Sequence, residues 1–188
     1  MKKSVIEILK YNVILAFILF LSSNAYLIKN INQYNLSTYT ISSLSKFLSH
    51  QQLSFFNTMF FIKSFLDFGF IYYLVKFLNL KIWDPSIIFL SLAILSFGLL
   101  GFFPNVYYPN EHLIIVVVMF FSWFLAQYFL SKKTNDEKFI YLTKNFITIE
   151  IASGILFTVG GNFNGILEIF YMFLISFWLL IFIRDYLK

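Results

Sequence analysis

The sequence predicts an all-α, polytopic transmembrane bundle of six helical spans with both termini on the cytoplasmic side. Three observations carry this. Hydrophobic residues make up 60% of the chain and charged ones only 12%, against roughly 25% charged in an average soluble domain. Apolar windows of about 20 residues, the length that crosses a bilayer as a helix, recur six times. The bases are sorted to one side of those windows. Helices are required because a backbone in hydrocarbon must satisfy its polar groups within the segment, and the windows are about twice the length of a barrel strand.

The six windows are 11–28, 55–78, 85–103, 113–130, 139–159 and 166–183. The first follows Met1-Lys2-Lys3 and contains Ser23-Asn24-Ala25, the outline of a signal peptide cut after Ala25. Glu7 and Lys10 interrupt the approach, so it reads as a span. Asp84-Pro85 is an N-cap followed by proline at the first helical position of the third, and Pro109-Asn110-Glu111 gives the fourth a cap and an acidic first turn. Gly160-Gly161-Asn162 is a stop signal after the fifth. The connection 29–54 is the one long enough for structure of its own, so residues 1–188 form a single transmembrane domain.

The net charge of +5 could point to nucleic acid, but its placement does not. Lys2, Lys3, Lys10, Lys76, Lys81, Lys132, Lys133, Lys138, Arg184 and Lys188 flank one side of the windows, while Lys29 and Lys46 flank the other. Ten against two is a positive-inside bias. The excess is a topology signal and a contact with an anionic leaflet, so no nucleic-acid partner is expected. The plasma membrane of a prokaryote is the expected location, with an organelle inner membrane as the alternative.

The outer side then holds 29–54, 104–112 and 160–165, rich in Asn, Ser, Thr and Tyr. Within 37–50, Ile41, Leu44, Phe47 and Leu48 fall on one helical face and Ser42, Ser43, Ser45 and Ser49 on the other, which predicts a short amphipathic helix at the interface. It reads either as a lid sealing the bundle or as a wall of a site for a lipid head group or small polar ligand. Ser42, Ser45, His50, Glu111, His112 and Glu168 are the candidate residues of that outer site. Asn35-Leu36-Ser37 fits the glycosylation acceptor pattern.

Histidines 50 and 112 could contribute to a metal or haem site, but two are too few for catalytic zinc unless Glu111 completes the set. Zero cysteines exclude disulfides, iron–sulfur clusters, thiolate zinc and a cysteine nucleophile. No cofactor, metal site or catalytic residue is assigned.

Of the charged residues inside the windows, Lys63, Asp67 and Glu150 lie away from the ends, where a charge costs at least about 2.5–3.5 kcal/mol and is expected to face the interior and be paired. Lys63 and Glu150 lie at similar depth, and Asp67 is one turn below Lys63. Lys63 pairs with Asp67 alone, or bridges Asp67 and Glu150. The cluster is either structural or a proton or ion pathway.

Ile41-Ser42-Ser43-Leu44-Ser45, Phe56-Asn57, Gly101-Phe102-Phe103-Pro104, His112 and Gly165-Ile166-Leu167-Glu168 together resemble an uncharacterised six-helix membrane family. This is the domain of unknown function nine-nine-eight, distantly similar to frag-type and autophagy-modulator-type membrane proteins. The resemblance runs from about Tyr34 onward. It implies six helices with the serine-rich loop, the Phe-Pro turn, the histidine and the acid at one membrane face, and no established activity. Lys63 departs from the apolar or small residue usual there.

Three functions compete. The first is a non-enzymatic module, lipid-associated or an accessory subunit, whose partners are membrane lipids and either other membrane proteins or a second copy of the chain. The second is a hydrolase or acyltransferase using Ser42 or Ser45 with His112 and Glu168. The third is a small transporter through Lys63, Asp67 and Glu150.

Overall fold

The computed structural model describes residues 7–159 and 164–187. The predicted stop at Gly160-Gly161-Asn162 and the bases Lys2, Lys3 and Lys188 lie outside them. Among the described residues there is no strand. Among the described residues the long helices are α1 (Asn12–Lys29), α2 (His50–Phe77), α3 (Pro85–Leu99), α4 (Pro109–Lys132), α5 (Glu137–Val159) and α6 (Gly165–Tyr186), with a 3₁₀ helix at Ile41–Phe47. Five of them, all but α3, are long and apolar enough to cross a membrane. The chain is an all-α integral membrane protein on that basis.

Local chemistry sets the ends. Helix α2 begins five residues before its hydropathy window because Ser49 and Gln52 form a reciprocal capping box. It ends where Asn79 takes φ 54° and lets the Leu80 amide reach back to the Val75 carbonyl, a left-handed cap that asparagine tolerates. Helix α3 is 15 residues long, about 22 Å at 1.5 Å per residue, and stops four residues short of its expected window. From Leu100 to Phe103 the amides bond back by turns, and Pro104 follows with no amide to give. Gly101 marks a close approach: a Cβ there would stand 2.7 Å from the Asn57 carbonyl of α2.

Each helix touches the next in sequence, and α6 closes the round against α1. Of the five long apolar helices, α5 is the least buried. The core divides into two apolar clusters. One lies toward the end bearing the termini and contains Phe70, Leu74, Leu90, Leu130, Trp178 and Phe182 among others. The other lies beneath the 30–49 segment and includes Phe20, Leu44, Phe56, Phe60 and Phe97. Between them runs a polar layer from α2, in which Lys63 meets Asp67 and Ser64 donates to the Ile94 carbonyl of α3 at 2.6 Å.

At the end bearing the termini, Lys133 donates to Asp84 at 2.5 Å, tying the turn before α3 to the end of α4. Partial burial pushes the Asp84 carboxyl up, but the bonds from Lys133 and Ser86 outweigh it and hold the group below its ordinary value. A carboxyl lowered in the folded state contributes stability above its unfolded value, about 3.9, and that contribution is lost as pH falls through the folded value. Thermal unfolding in detergent should therefore show a midpoint that drops below about pH 4, with a shallower drop in Asp84→Asn. Parallel curves for the two proteins would show that this contact contributes nothing.

Candidate functional site

The expected amphipathic helix is present as the 3₁₀ helix, capped by the Thr40 hydroxyl, which accepts from the Ser43 amide. Its faces differ from expectation. Ser43 and Ser45 are buried along with Ile41 and Leu44; at three residues per turn these positions lie on all three sides of the helix, so the segment is covered by its surroundings and does not present one polar face. Both serines satisfy themselves locally: Ser43 donates to the Thr40 carbonyl at 2.7 Å and Ser45 to the Ser42 carbonyl at 3.0 Å.

This segment is bound to the start of α6 by a run of hydrogen bonds. Gly165 donates its amide to Tyr39 at 2.8 Å, and Ile166 donates to Leu36 at 3.3 Å. Asn164 caps α6 by accepting from Leu167, and its amide nitrogen donates to the Ser37 carbonyl at 3.0 Å. The Glu168 carboxylate accepts from the Ile41 amide and, at 3.3 Å, from the Ser42 hydroxyl. Tyr34 is buried beneath and donates to Thr40 at 2.8 Å; burial, with the Glu168 charge nearby, pushes its phenol above the usual range. Gly165 is needed here, since a Cβ would stand 2.8 Å from the Tyr39 carbonyl.

Of the six outer candidates, Ser42 and Glu168 are brought together and Ser45 is adjacent. His112 is buried and donates from Nδ1 to the Phe103 carbonyl at 2.7 Å, holding the turn after α3 onto α4. Among the described residues no hydrogen bond joins it to Ser42, Ser45 or Glu168, and its Nε2 is buried without a partner. His50 and Glu111 are exposed at the first turns of α2 and α4. No group of three or more His, Asp or Glu side chains among the described residues is placed to hold a metal ion.

In the interior, the first of the two predicted arrangements is observed. Lys63 pairs with Asp67 at 2.5 Å within α2, and its ammonium lies 4.4 Å from the centre of the Phe97 ring, a cation–π contact. Asp67 is 3% exposed, and its Oδ1 has no bonded partner.

Glu150 stands apart from that pair. It is 1% exposed and meets the side-chain amide of Gln127 of α4, itself fully buried, although the two do not form a well-aligned hydrogen bond. Glu150 lines an apolar cleft of about 620 Å³ between α4 and α5. Tyr171 of α6 closes the back, donating to the Glu150 backbone carbonyl at 2.8 Å and sharing a 3.0 Å bond with Ser153. A second recess of about 400 Å³ shares Phe121, Phe124 and Ile151 with the first and runs on to Tyr128 and Lys144. Together they form one seam from Leu113 to Tyr128, 15 residues or about 22 Å along α4.

Sequence reading missed Gln127 and Tyr171. Gln127 is a lone amide in an apolar window, and that was its available signal. No family model matches the chain, and no curated protein or solved structure matches it.

Proposed function

We propose that the protein is a lipid-associated membrane module that holds an amphipathic lipid in the seam between α4 and α5. The observation that carries this reading is Glu150: a carboxyl 1% exposed in the wall of an apolar cleft, met by the Gln127 amide without a well-aligned hydrogen bond. A buried polar group without a partner costs about 1–3 kcal/mol, more if charged. A lipid with a hydrogen-bond-donating group at that depth removes the cost. Apolar side chains along the rest of the seam suit its chain, whose length of about 15 methylenes is comparable to 22 Å.

In this reading all six helices cross the membrane, α3 together with its flanking turns, and the ten bases place both termini on the cytoplasmic side. Lys144, at the far end of the seam, then lies near the anionic leaflet. The outer segment acts as a lid, a role supported by the bonds of Glu168 and Ser42 to each other and to the 3₁₀ helix. A hydrolase has less support, because His112 uses Nδ1 on Phe103. The resemblance to the six-helix family fits this plan and adds no activity.

Native mass spectrometry of protein purified in mild detergent tests the proposal. Wild type should carry a lipid adduct of defined mass. Glu150→Leu, which keeps the apolar wall, should reduce its occupancy about tenfold, the equivalent of one lost buried hydrogen bond. Val117→Trp should block it by filling the cleft from its exposed rim. Adducts unchanged in both variants would sink the reading, and a stoichiometric protein partner in place of lipid would assign the seam to an accessory-subunit role.

A further inference from the structure

Toward the end bearing the termini, the apolar seam between α4 and α5 turns basic. The recess of about 400 Å³ at that end has Tyr128, Lys144 and Thr148 as the polar members of an otherwise apolar wall. Lys144 is exposed and stands seven residues into α5, about 10 Å along the helix from Glu137. A cation at that depth beside apolar surface needs a counter-charge or a reach to the interface.

Chain direction brings a second cation to the same level. In a helix every Cα–Cβ bond tilts toward the N-terminus, and the short turn at 133–136 makes α4 and α5 antiparallel neighbours. Lys132, in the last turn of α4, therefore leans back along its helix, and its ammonium is 4.9 Å from the centre of the Tyr128 ring. The Cα–Cβ bond of Lys144 tilts the opposite way, toward the start of α5, and the charges of both lysines act on the Tyr128 phenol. Among the described residues neither lysine has a carboxylate within ion-pair distance, whereas the adjacent Lys133 is held by Asp84. Asp136, in the turn, is taken up by the Tyr186 hydroxyl and the amides of Lys138 and Phe139.

Two cations without a carboxylate partner, at the mouth of an apolar groove, fit an amphiphile with an anionic head. A phosphodiester offers a charged acceptor oxygen to each ammonium. A zwitterionic head would bring its own ammonium beside the two lysines, and a free phosphate would leave the apolar wall uncovered. Anionic lipids are also richest in the cytoplasmic leaflet, which this end of the seam faces in the orientation given above. We propose, resting on the lipid-module reading, that the seam selects an anionic phospholipid, its phosphate between Lys132 and Lys144 at the level of Tyr128 and an acyl chain against Phe121, Phe124 and Ile151.

Competition between head groups provides the test. The full chain in mild detergent is offered equal amounts of phosphatidylglycerol and phosphatidylcholine with the same acyl chains, and the bound lipids are counted by native mass spectrometry. Wild type should carry about tenfold more phosphatidylglycerol. The pair Lys132→Gln, Lys144→Gln should bring the ratio close to one while lipid is still retained, and Lys132→Arg, Lys144→Arg should preserve it. Lys76→Gln, Lys81→Gln removes two exposed bases from the same end of the bundle, off the seam, and should leave the ratio unchanged. Val117→Trp should reduce both lipids alike. A cooperative thermal transition establishes that each variant is folded. Equal uptake of the two lipids by wild type would overturn the anionic assignment and leave the lipid-module reading standing; uptake of neither would overturn both. A ratio unmoved by the glutamine pair at 132 and 144, or moved as much by the pair at 76 and 81, would overturn the placement of the phosphate. Phosphatidylglycerol undiminished in Val117→Trp would put the lipid outside the seam and overturn it as well.

Discussion

Replacing Lys63 with methionine should destabilise the protein by about 3 kcal/mol or more, the cost of removing one partner from a buried ion pair. The reason is asymmetry. Asp67 is 3% exposed and Lys63 is the group bonded to it, so the substitution leaves a carboxylate in the centre of the bundle with no counter-charge. The reverse change, Asp67→Asn, should cost less. Lys63 keeps the face of Phe97 at 4.4 Å, and its side chain is 17% exposed. Its long apolar stem can carry the ammonium toward a more polar environment. The double variant Lys63→Met, Asp67→Leu should recover most of the loss, because replacing both charges by apolar groups removes the desolvation cost with the attraction. For a chain of this size 3 kcal/mol corresponds to a drop of about 6–12 °C in the thermal midpoint, measurable by tryptophan fluorescence in detergent. A double variant as unstable as Lys63→Met would mean that the damage lies in packing and not in the orphaned charge.

Trp178→Ala should cost about 3–5 kcal/mol, the range for emptying a large aromatic site in a core. Trp178 is fully buried, stacked against Phe139 at 5.7 Å and Phe182 at 5.3 Å. Its Nε1 donates to Thr143 at 2.9 Å, so it joins α6 to the start of α5. Trp178→Phe separates the two contributions: it keeps a ring and removes the donor, and should cost about 1 kcal/mol from the lost bond, plus a packing loss for the smaller ring. Because α5 is the least buried of the long apolar helices, hydrogen exchange in α5 should rise more than in α2 for the alanine variant. Equal and small losses in both variants, with exchange in α5 unchanged, would show that α5 is anchored elsewhere.

Much of the fold was legible in the sequence because the bilayer imposes one dominant pattern, an apolar run of fixed length, and each of the six windows contains a helix. The end of α3 was not, since Leu100 to Phe103 are as apolar as the helix they follow. What stops the helix there is the glycine approach to α2 and the proline after it. The site was legible by face but not by partner. Charge sorting put Ser42 and Glu168 on one side, and they do meet. The same sorting grouped His112 with them, whereas its bond goes to Phe103, nine residues back in the chain. Depth counting placed Glu150 level with Lys63, but depth along a helix says nothing of azimuth, and the carboxyl faces Gln127 and the α4–α5 cleft. Ser43 and Ser45 are buried on different sides of a 3₁₀ helix, which a single-faced helical wheel does not anticipate.

The bonds between residues 36–42 and 164–168 have a consequence for the order in which the protein is made. Ile41 and Glu168 are 127 positions apart, so the lid chemistry written early in the chain awaits a carboxylate supplied by the final helix. During synthesis α1 and α2 can enter the bilayer and pair as neighbours, while the segment between them has no acceptor for the Ile41 amide and no docking backbone for Leu36 and Tyr39. Its closure is a long-range step, of the kind that loop entropy makes slow, and it coincides with the arrival of α6 against α1. The last span thus completes both the ring and its cover at once, so a chain truncated before it is left open at the same end.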